Sequence, residues 1–178
     1  MLNRKVLVQN ITNLTDARYF AAWGVDYLSF NMNQDSEYFL PWEKISEIIE
    51  WVEGPSTLLE ANALEFLEGI DGHILSNMYS SLPMNKETFF RVPFDEALKG
   101  LPAGNYITVI TDHSELNALS AVENHAPGCN LYLDICNYDV KQLDRLPDNG
   151  IVIQGGEEEK VGVKSYDELD VLYEWLMQ

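Results

Sequence analysis

Three short segments of this 178-residue chain carry residue types able to do chemistry. Gln9 and Asn10 lie near the end of the first apolar run, Asp112 follows the run at 107–111, and Gly155 and Gly156 follow the run at 151–154. A carboxylic acid transfers a proton when its surroundings shift its pKa, and a glycine turn lets backbone N–H groups approach an anion. A carboxamide hydrogen-bonds but is too weak a base to take a proton from carbon. These groups act together only if the fold gathers the ends of their strands.

The segment around Gln9 has the pattern of a strand–helix–strand unit. Residues 6–11 form a β-branched, largely apolar run that suits a strand buried on both faces. Thr12 or Asn13 is placed to cap the following helix, and Gly24 is placed to end it before a second strand at 27–32. This order predicts parallel strands joined by right-handed crossovers.

The same alternation continues to the C-terminus without a linker or low-complexity tract, which predicts one domain over residues 1–178. Strands are predicted at 6–11, 27–32, 57–61, 72–75, 88–92, 107–111, 131–135 and 151–154. Helices are predicted at 15–23, 42–52, 62–67, 95–98, 114–124, 139–145 and 166–177. Eight repeats favour a single compact (β/α)8 TIM barrel of class α/β, with short helices because such barrels usually need about 200 residues or more. The pattern leaves open whether residues 77–86 form a helix.

Composition narrows the classes of partner. The formal net charge of −18 repels phosphate backbones and anionic lipids, so neither nucleic acid nor membrane is an expected partner. No apolar run is long enough to cross a bilayer and no signal peptide is evident, which predicts a cytoplasmic protein. Cys129 and Cys136 are predicted to be reduced thiols rather than a disulfide. The three histidines lie beside no cysteine or carboxylate at zinc spacing, so no metal or cofactor is expected.

Several motifs, in order along the chain, resemble those of one enzyme family. Residues 6–17 (V-L-V-Q-N-I-T-N-L-T-D-A) are similar to K-I-C-G-I-T-N-x-x-D-A, and residues 23–32 (W-G-V-D-Y-L-S-F-N-M) to A-G-A-D-A-L-G-F-N-F. Residues 35–41 (D-S-E-Y-F-L-P), 71–77 (D-G-H-I-L-S-N) and 150–165 (G-I-V-I-Q-G-G-E-E-E-K-V-G-V-K-S) continue the likeness. The family is phosphoribosylanthranilate isomerase, which has the (β/α)8 fold. Its reaction is the Amadori aldose-to-ketose isomerisation of tryptophan biosynthesis.

The resemblance assigns roles to individual positions, and several residues depart from the family pattern. Gln9 stands for the general-base cysteine, Asn10 for a glycine, and Glu37 for the arginine that grips the substrate carboxylate. Asp112 stands in the general-acid position, and Gly155 and Gly156 keep the glycines that approach the phosphate. After the seventh strand, D-I-C-N replaces the family's second phosphate-binding turn, A-G-G-L.

Alternatives remain open at these positions. Asp112 either protonates a ring oxygen or caps the helix that begins near Ser114, and the adjacent His113 is more simply a solvated loop residue than a substitute base. Gly155 and Gly156 either hold an anion or form a tight turn before an acidic loop. The protein is therefore either an isomerase with a rewired, weakened site or a catalytically silent paralogue acting as a binding or interaction protein, and a different reaction on another small ligand stays open. The expected ligand is a small phosphorylated molecule, and the expected oligomeric state is a monomer or a homodimer.

Overall fold

Eight parallel strands form a closed barrel in sequence order in a computed structural model that describes residues 2–61, 67–76, 87–110, 113–125, 128–136, 146–154 and 167–178. Each strand pairs with its neighbours along the chain, and the first strand pairs with the last. The strands are β1 Val6–Gln9, β2 Tyr27–Asn31, β3 Ser56–Glu60, β4 Gly72–Leu75, β5 Glu87–Arg91, β6 Gly104–Val109, β7 Cys129–Asp134 and β8 Gly150–Gln154. The described helices are α1 Leu14–Trp23, α2 Trp42–Ile49, α3 Phe94–Ala97, α4 His113–His125 and α5 Asp167–Leu176. The predicted (β/α)8 TIM barrel is confirmed.

Local sequence signals fix the ends of α1. The Asn13 side chain accepts a hydrogen bond from the backbone N–H of Asp16 at 2.9 Å, which satisfies a helix donor that would otherwise have no partner. At the other end Gly24 adopts a left-handed φ of 78°, and its N–H bonds to the carbonyl of Ala21 at 3.0 Å. The predicted cap and stop of this helix are both confirmed.

Helices α1, α2 and α5 each turn an apolar face toward the barrel. Ile45 and Ile48 of α2 are buried, as are Leu172 and Leu176 of α5. The ring of Trp23, at the end of α1, lies 4.8 Å from that of Tyr173 on α5. Because each helix covers the outside of neighbouring strands, both faces of the sheet are buried, as a parallel sheet requires.

The inside of the barrel is filled by one apolar side chain from each strand. This inner cluster consists of Leu7, Tyr27, Leu58, Ile74, Phe89, Ile107, Tyr132 and Val152. The rings of Tyr27, Phe89 and Tyr132 meet edge to face, with centroids 5.1 to 6.2 Å apart. Below them Gly150 leaves room for an aromatic ring, because a Cβ there would lie 2.5 Å from Cδ1 of Tyr132. The barrel is therefore a packed core rather than a pore.

Most differences from the sequence prediction concern the ends of elements. The sixth strand begins at Gly104, three residues before its predicted start, because Gly104 and Asn105 pair in register with Cys129 and Asn130 of β7. Helix α2 ends at Ile49 rather than at residue 52, and α4 begins at His113. The predicted helix at 139–145, nearly all of the one at 62–67, and the 77–86 connection lie outside the described residues. Among the helices that are described, none is long and apolar enough to span a bilayer.

Candidate active site at the barrel mouth

Four polar residues form one layer at the carboxyl ends of the odd-numbered strands. Gln9, Glu60, Arg91 and Asp134 are the last residues of β1, β3, β5 and β7. Each lies two residues beyond a member of the inner cluster, so strand alternation turns its side chain inward as well. Barrel interiors are built from such layers of four side chains contributed by alternate strands. We call these four residues the polar layer; it lies at the end of the barrel where enzymes of this fold place their chemistry.

Arg91 holds the polar layer together. One terminal nitrogen of its guanidinium donates to Oδ2 of Asp134 at 3.0 Å, and the other donates to Oε1 of Gln9 at 2.9 Å. A third contact, to Oε2 of Glu60, is longer at 3.4 Å. Both carboxylates are largely buried, with exposed side-chain fractions of 6% for Asp134 and 12% for Glu60. The guanidinium thus spans the mouth and supplies the counter-charge that buried carboxylates need.

Gln9 has both ends of its carboxamide occupied. While its Oε1 accepts from Arg91, its Nε2 lies 3.3 Å from Oδ2 of Asp134 and 3.1 Å from Sγ of Cys136, within donor distance of both. The residue is 6% exposed. The structure therefore places Gln9 at the end of β1, as the sequence indicated. Both polar atoms of its carboxamide already have hydrogen-bonding partners in the surrounding side chains.

Cys136 brings a thiol to the same place. Its backbone N–H donates to Oδ1 of Asp134 at 3.2 Å, so the residue is anchored just beyond β7. The residue as a whole is exposed, but its sulfur lies against the polar layer, where burial and then the Asp134 carboxylate raise the pKa of the thiol well above its usual value. The thiol stays protonated at neutral pH, and it is a weak nucleophile in that form.

Asn10 and Glu37 occupy different surroundings. Asn10 has a φ of 57°, the left-handed region that favours glycine and that asparagine tolerates best among other residues. This backbone conformation explains a glycine or an asparagine at the turn out of β1. Glu37 is exposed in the connection from β2 to α2, where Leu40 returns the chain to the sheet by donating to the carbonyl of Asn31 at 2.8 Å.

Three of the predicted site residues belong to segments that the structure does not describe. Asp112, Gly155 and Gly156 lie outside the described residues, so their predicted roles stay predictions. His113 is the first residue of α4 rather than a loop residue, which corrects the expectation for it. Among the described residues, no group of three or more histidine, cysteine, aspartate or glutamate side chains is arranged to hold a metal ion.

Sequence reasoning missed the centre of the site. It assigned no role to Glu60 or Arg91, included Asp134 only in the D-I-C-N segment after the seventh strand, and predicted only that Cys136 is a reduced thiol. A usable signal was present, because a charged residue ends each of the third, fifth and seventh strands two positions after an apolar one. Only the strand ends, not the spacing within any one segment, carried that signal.

Two surface clefts flank α2, and neither is lined by a residue of the polar layer. One, of about 490 Å³, is lined by residues that include Trp42, Ile49 and Asp71; the other, of about 400 Å³, includes Asn13 and Trp51. The first lies between α2 and the outside of the barrel, and the second lies between the start of α1 and α2. The chemistry-bearing side chains described above are not part of either.

The fold and this site define the class: a closed (β/α)8 barrel with a charged, hydrogen-bonded layer at its mouth. Comparison with protein-family models and with curated protein sequences finds no match. Solved structures do match, among them phosphoribosyl anthranilate isomerase from Thermus thermophilus, with a TM-score of 0.72 and 18% identity over 97% of this chain and 98% of that one.

Other matching structures carry the same description. TrpF from Jonesia denitrificans gives a TM-score of 0.69 and 15% identity over 98% of this chain and 97% of that one. A phosphoribosyl anthranilate isomerase in complex with reduced 1-(o-carboxyphenylamino)-1-deoxyribulose 5-phosphate gives 0.70 and 15%, over 96% and 97%. At these identities the likeness establishes the fold. The chain has the barrel of the phosphoribosylanthranilate isomerases along nearly its whole length, as the sequence motifs predicted.

Proposed function

We propose that this chain is a divergent phosphoribosylanthranilate isomerase-like protein, one barrel domain over residues 1–178, in which the family's isomerisation is weakened or lost and a binding role remains. The occupied carboxamide of Gln9 carries this proposal. In the position that the resemblance gives to the general base, Gln9 is held between Arg91 and Asp134 and has no basic atom to offer.

The family reaction needs a base for the proton on C2′ and an acid for the ring oxygen. Gln9 cannot act as that base, and loss of acid–base help typically lowers a rate by about 10²–10⁴-fold. Cys136 is near enough to be considered in its place, but the raised pKa of its thiol keeps it protonated. The resemblance assigns the general acid to Asp112, but an acid alone does not complete the reaction, because the proton on C2′ also needs a base.

Recognition of the family's substrate is also weakened. The analogue bound to one of the similar structures is named as a carboxyphenylamino sugar phosphate, which carries two anionic groups. Glu37 replaces the arginine that would bind the carboxylate, and a lost charge-assisted bond costs about 1.5–3 kcal/mol. Because Glu37 is exposed, water screens its repulsion of the substrate carboxylate, which amounts to about 1 kcal/mol at a separation of 4 Å. Gly155 and Gly156 remain the proposed contact for a phosphate.

Complementation of a tryptophan auxotroph that lacks the isomerase tests this proposal. TrpF from Jonesia denitrificans serves as the positive control, and the amount of soluble protein is measured in both strains. We expect no growth without tryptophan from this chain. Growth that disappears with Asp112→Asn would overturn the proposal. We also expect no rescue by Gln9→Cys alone, because Glu37 and Asp134 remain; robust turnover by that variant would contradict the charge argument.

One observation supports a second candidate, an isomerase with a rewired site. The sulfur of Cys136 lies 3.1 Å from Nε2 of Gln9, so a thiol is still present beside the position that the resemblance gives to the base. If this thiol is the base, purified protein converts phosphoribosylanthranilate at a rate that Cys136→Ser abolishes and that increases steeply at alkaline pH. Our proposal instead predicts no turnover by the wild-type protein or by the Cys136→Ser variant.

A further inference from the structure

Glu60 is the carboxylate of the polar layer with the weakest counter-charge. The layer contains one cation and two carboxylates, a formal charge of −1, and Arg91 makes its two shorter contacts to Asp134 and Gln9. Its contact to Glu60, at 3.4 Å, is the longest of the three although the Glu60 side chain is only 12% exposed. A largely buried carboxylate is stable only when a positive charge or several donors balance it. Arg91 contacts only Oε2 of Glu60, so within the described residues Oε1 can accept from a further donor.

Strand β2 and the turn that follows it supply two buried polar atoms that have no hydrogen-bond partner among the described residues. Asn31 is the register partner of Glu60, and its Oδ1 accepts from the N–H of Asn33 at 3.0 Å. The Oδ1 of Asn33 itself is buried and accepts no hydrogen bond within the described part of the chain. Two positions before Asn31, on the same inward face, the hydroxyl of Ser29 is likewise unpartnered there, and the residue is 1% exposed. A buried polar group without a partner is destabilising, so both mark a place where a ligand or a water supplies the missing bond.

The chemistry of these groups selects the kind of ligand. Two are acceptors only, the Glu60 carboxylate and Asn33 Oδ1, and a hydroxyl accepts as readily as it donates. A phosphate or a carboxylate would place further acceptors against them. A protonated amine offers three N–H donors and one positive charge, which brings the polar layer from −1 to neutral. A divalent ion would face the Arg91 guanidinium beside Glu60 and finds no ready ligand cluster among the described residues.

We infer that the barrel mouth binds a small ligand through a primary ammonium group, seated on Glu60 beside Asn31 and Asn33. This inference rests on the proposed function, in which the barrel binds a ligand instead of isomerising the family's substrate. The inferred ligand carries a positive charge, whereas that substrate is an anion. The ammonium donates to the Glu60 carboxylate and to Oδ1 of Asn33. The Ser29 hydroxyl, deeper in the barrel, is reached directly or through one bridging water.

Binding of simple probes to the whole chain tests the inference. Ethanolamine and methylammonium are the amine probes, and inorganic phosphate and ribose 5-phosphate are the anionic ones, each followed by chemical-shift titration at constant ionic strength. We expect saturable binding of the amines and weaker or no binding of the anions. Glu60→Gln keeps the size of the side chain and removes its charge, and it should weaken amine binding at least about tenfold, the scale of a lost charge-assisted bond. Glu53→Gln makes the same charge change at an exposed site outside the polar layer and should leave it unchanged.

A variant that is expected to bind the amine more tightly distinguishes a change in the binding site from a folding defect. Asn33→Asp adds a negative charge beside the unpartnered acceptor and should tighten amine binding about threefold or more, which misfolding cannot imitate. Absence of saturable amine binding to the folded wild type would overturn the inference, as would equal binding by the Glu60→Gln and Glu53→Gln variants. Tighter binding of phosphate, ribose 5-phosphate or calcium than of ethanolamine would overturn it too. None of these results alters the auxotroph assay, so the inference and the proposed function fail separately.

Discussion

Replacement of Arg91 by methionine tests whether the guanidinium holds the barrel mouth together. Methionine keeps an unbranched, flexible chain but removes the positive charge and all three contacts of the polar layer. Asp134 is left with Nε2 of Gln9 at 3.3 Å and the N–H of Cys136 at 3.2 Å, and Glu60 loses its contact with the cation. Two mostly buried carboxylates then share the mouth with no counter-charge from the layer.

The expected cost follows from the burial of the partners. Removing one member of a buried pair costs about 3–5 kcal/mol, because the other charge stays buried and unpaired. The Arg91 side chain is 24% exposed, and Asp134 keeps two donors, so the lower end applies, about 3 kcal/mol. For a chain of this length that is a fall of about 6–12 °C in the unfolding midpoint.

Urea denaturation followed by circular dichroism gives the free energy of unfolding, and Lys44→Met is the matched control. The Lys44–Glu47 pair is exposed on both sides, and its loss is expected to cost at most about 0.5 kcal/mol. Adding Asp134→Asn to Arg91→Met should recover about 1 kcal/mol or more, since the unpaired charge is removed. If Arg91→Met cost no more than Lys44→Met, or if the second substitution made the protein less stable still, the electrostatic account of the layer would be refuted.

Two further predictions concern the barrel interior and the turn out of β1. Burial raises the pKa of Tyr132 to about 12, above the value of about 10 in an unfolded chain, so stability is complete below pH 10 and is lost as the pH rises toward 12. Tyr132→Phe should make that alkaline loss less steep in thermal denaturation, and an unchanged slope would contradict the assignment. At Asn10, with its φ of 57°, alanine should cost about 1 kcal/mol, whereas glycine should be neutral or stabilising. Equal stability of the Asn10→Ala and Asn10→Gly variants would show that this backbone conformation is unstrained.

The barrel was predictable because its signals are local. Apolar runs, the Asn13 cap and the Gly24 stop each depend on a few consecutive residues, and their repetition eight times leaves few arrangements of the sheet. Strand ends were less certain, as Gly104 and Asn105 show. A glycine and an asparagine carry no strand signal, and they join β6 because their neighbours in β7 pair with them.

The candidate site was predictable only in part. The motif at residues 6–17 located Gln9 and predicted that the base is missing, and the structure puts Gln9 at the mouth. No sequence pattern connects Arg91 with Gln9, 82 residues away, or Gln9 with Asp134, 125 residues away. A lone charged residue at the end of a strand has no partner that spacing can identify.

By itself, the sequence determined the order of strands and helices and the class of fold, and it predicted a carboxamide where the resemblance places a base, since each is written in short segments. The tertiary structure alone decided what surrounds Gln9. When β1 pairs with β8, the ends of β1, β3, β5 and β7 meet around one centre. Four side chains from distant segments then share one buried volume, where a guanidinium lies between carboxylates and a carboxamide. Their contacts exist because the barrel closes, and no segment of the chain contains them.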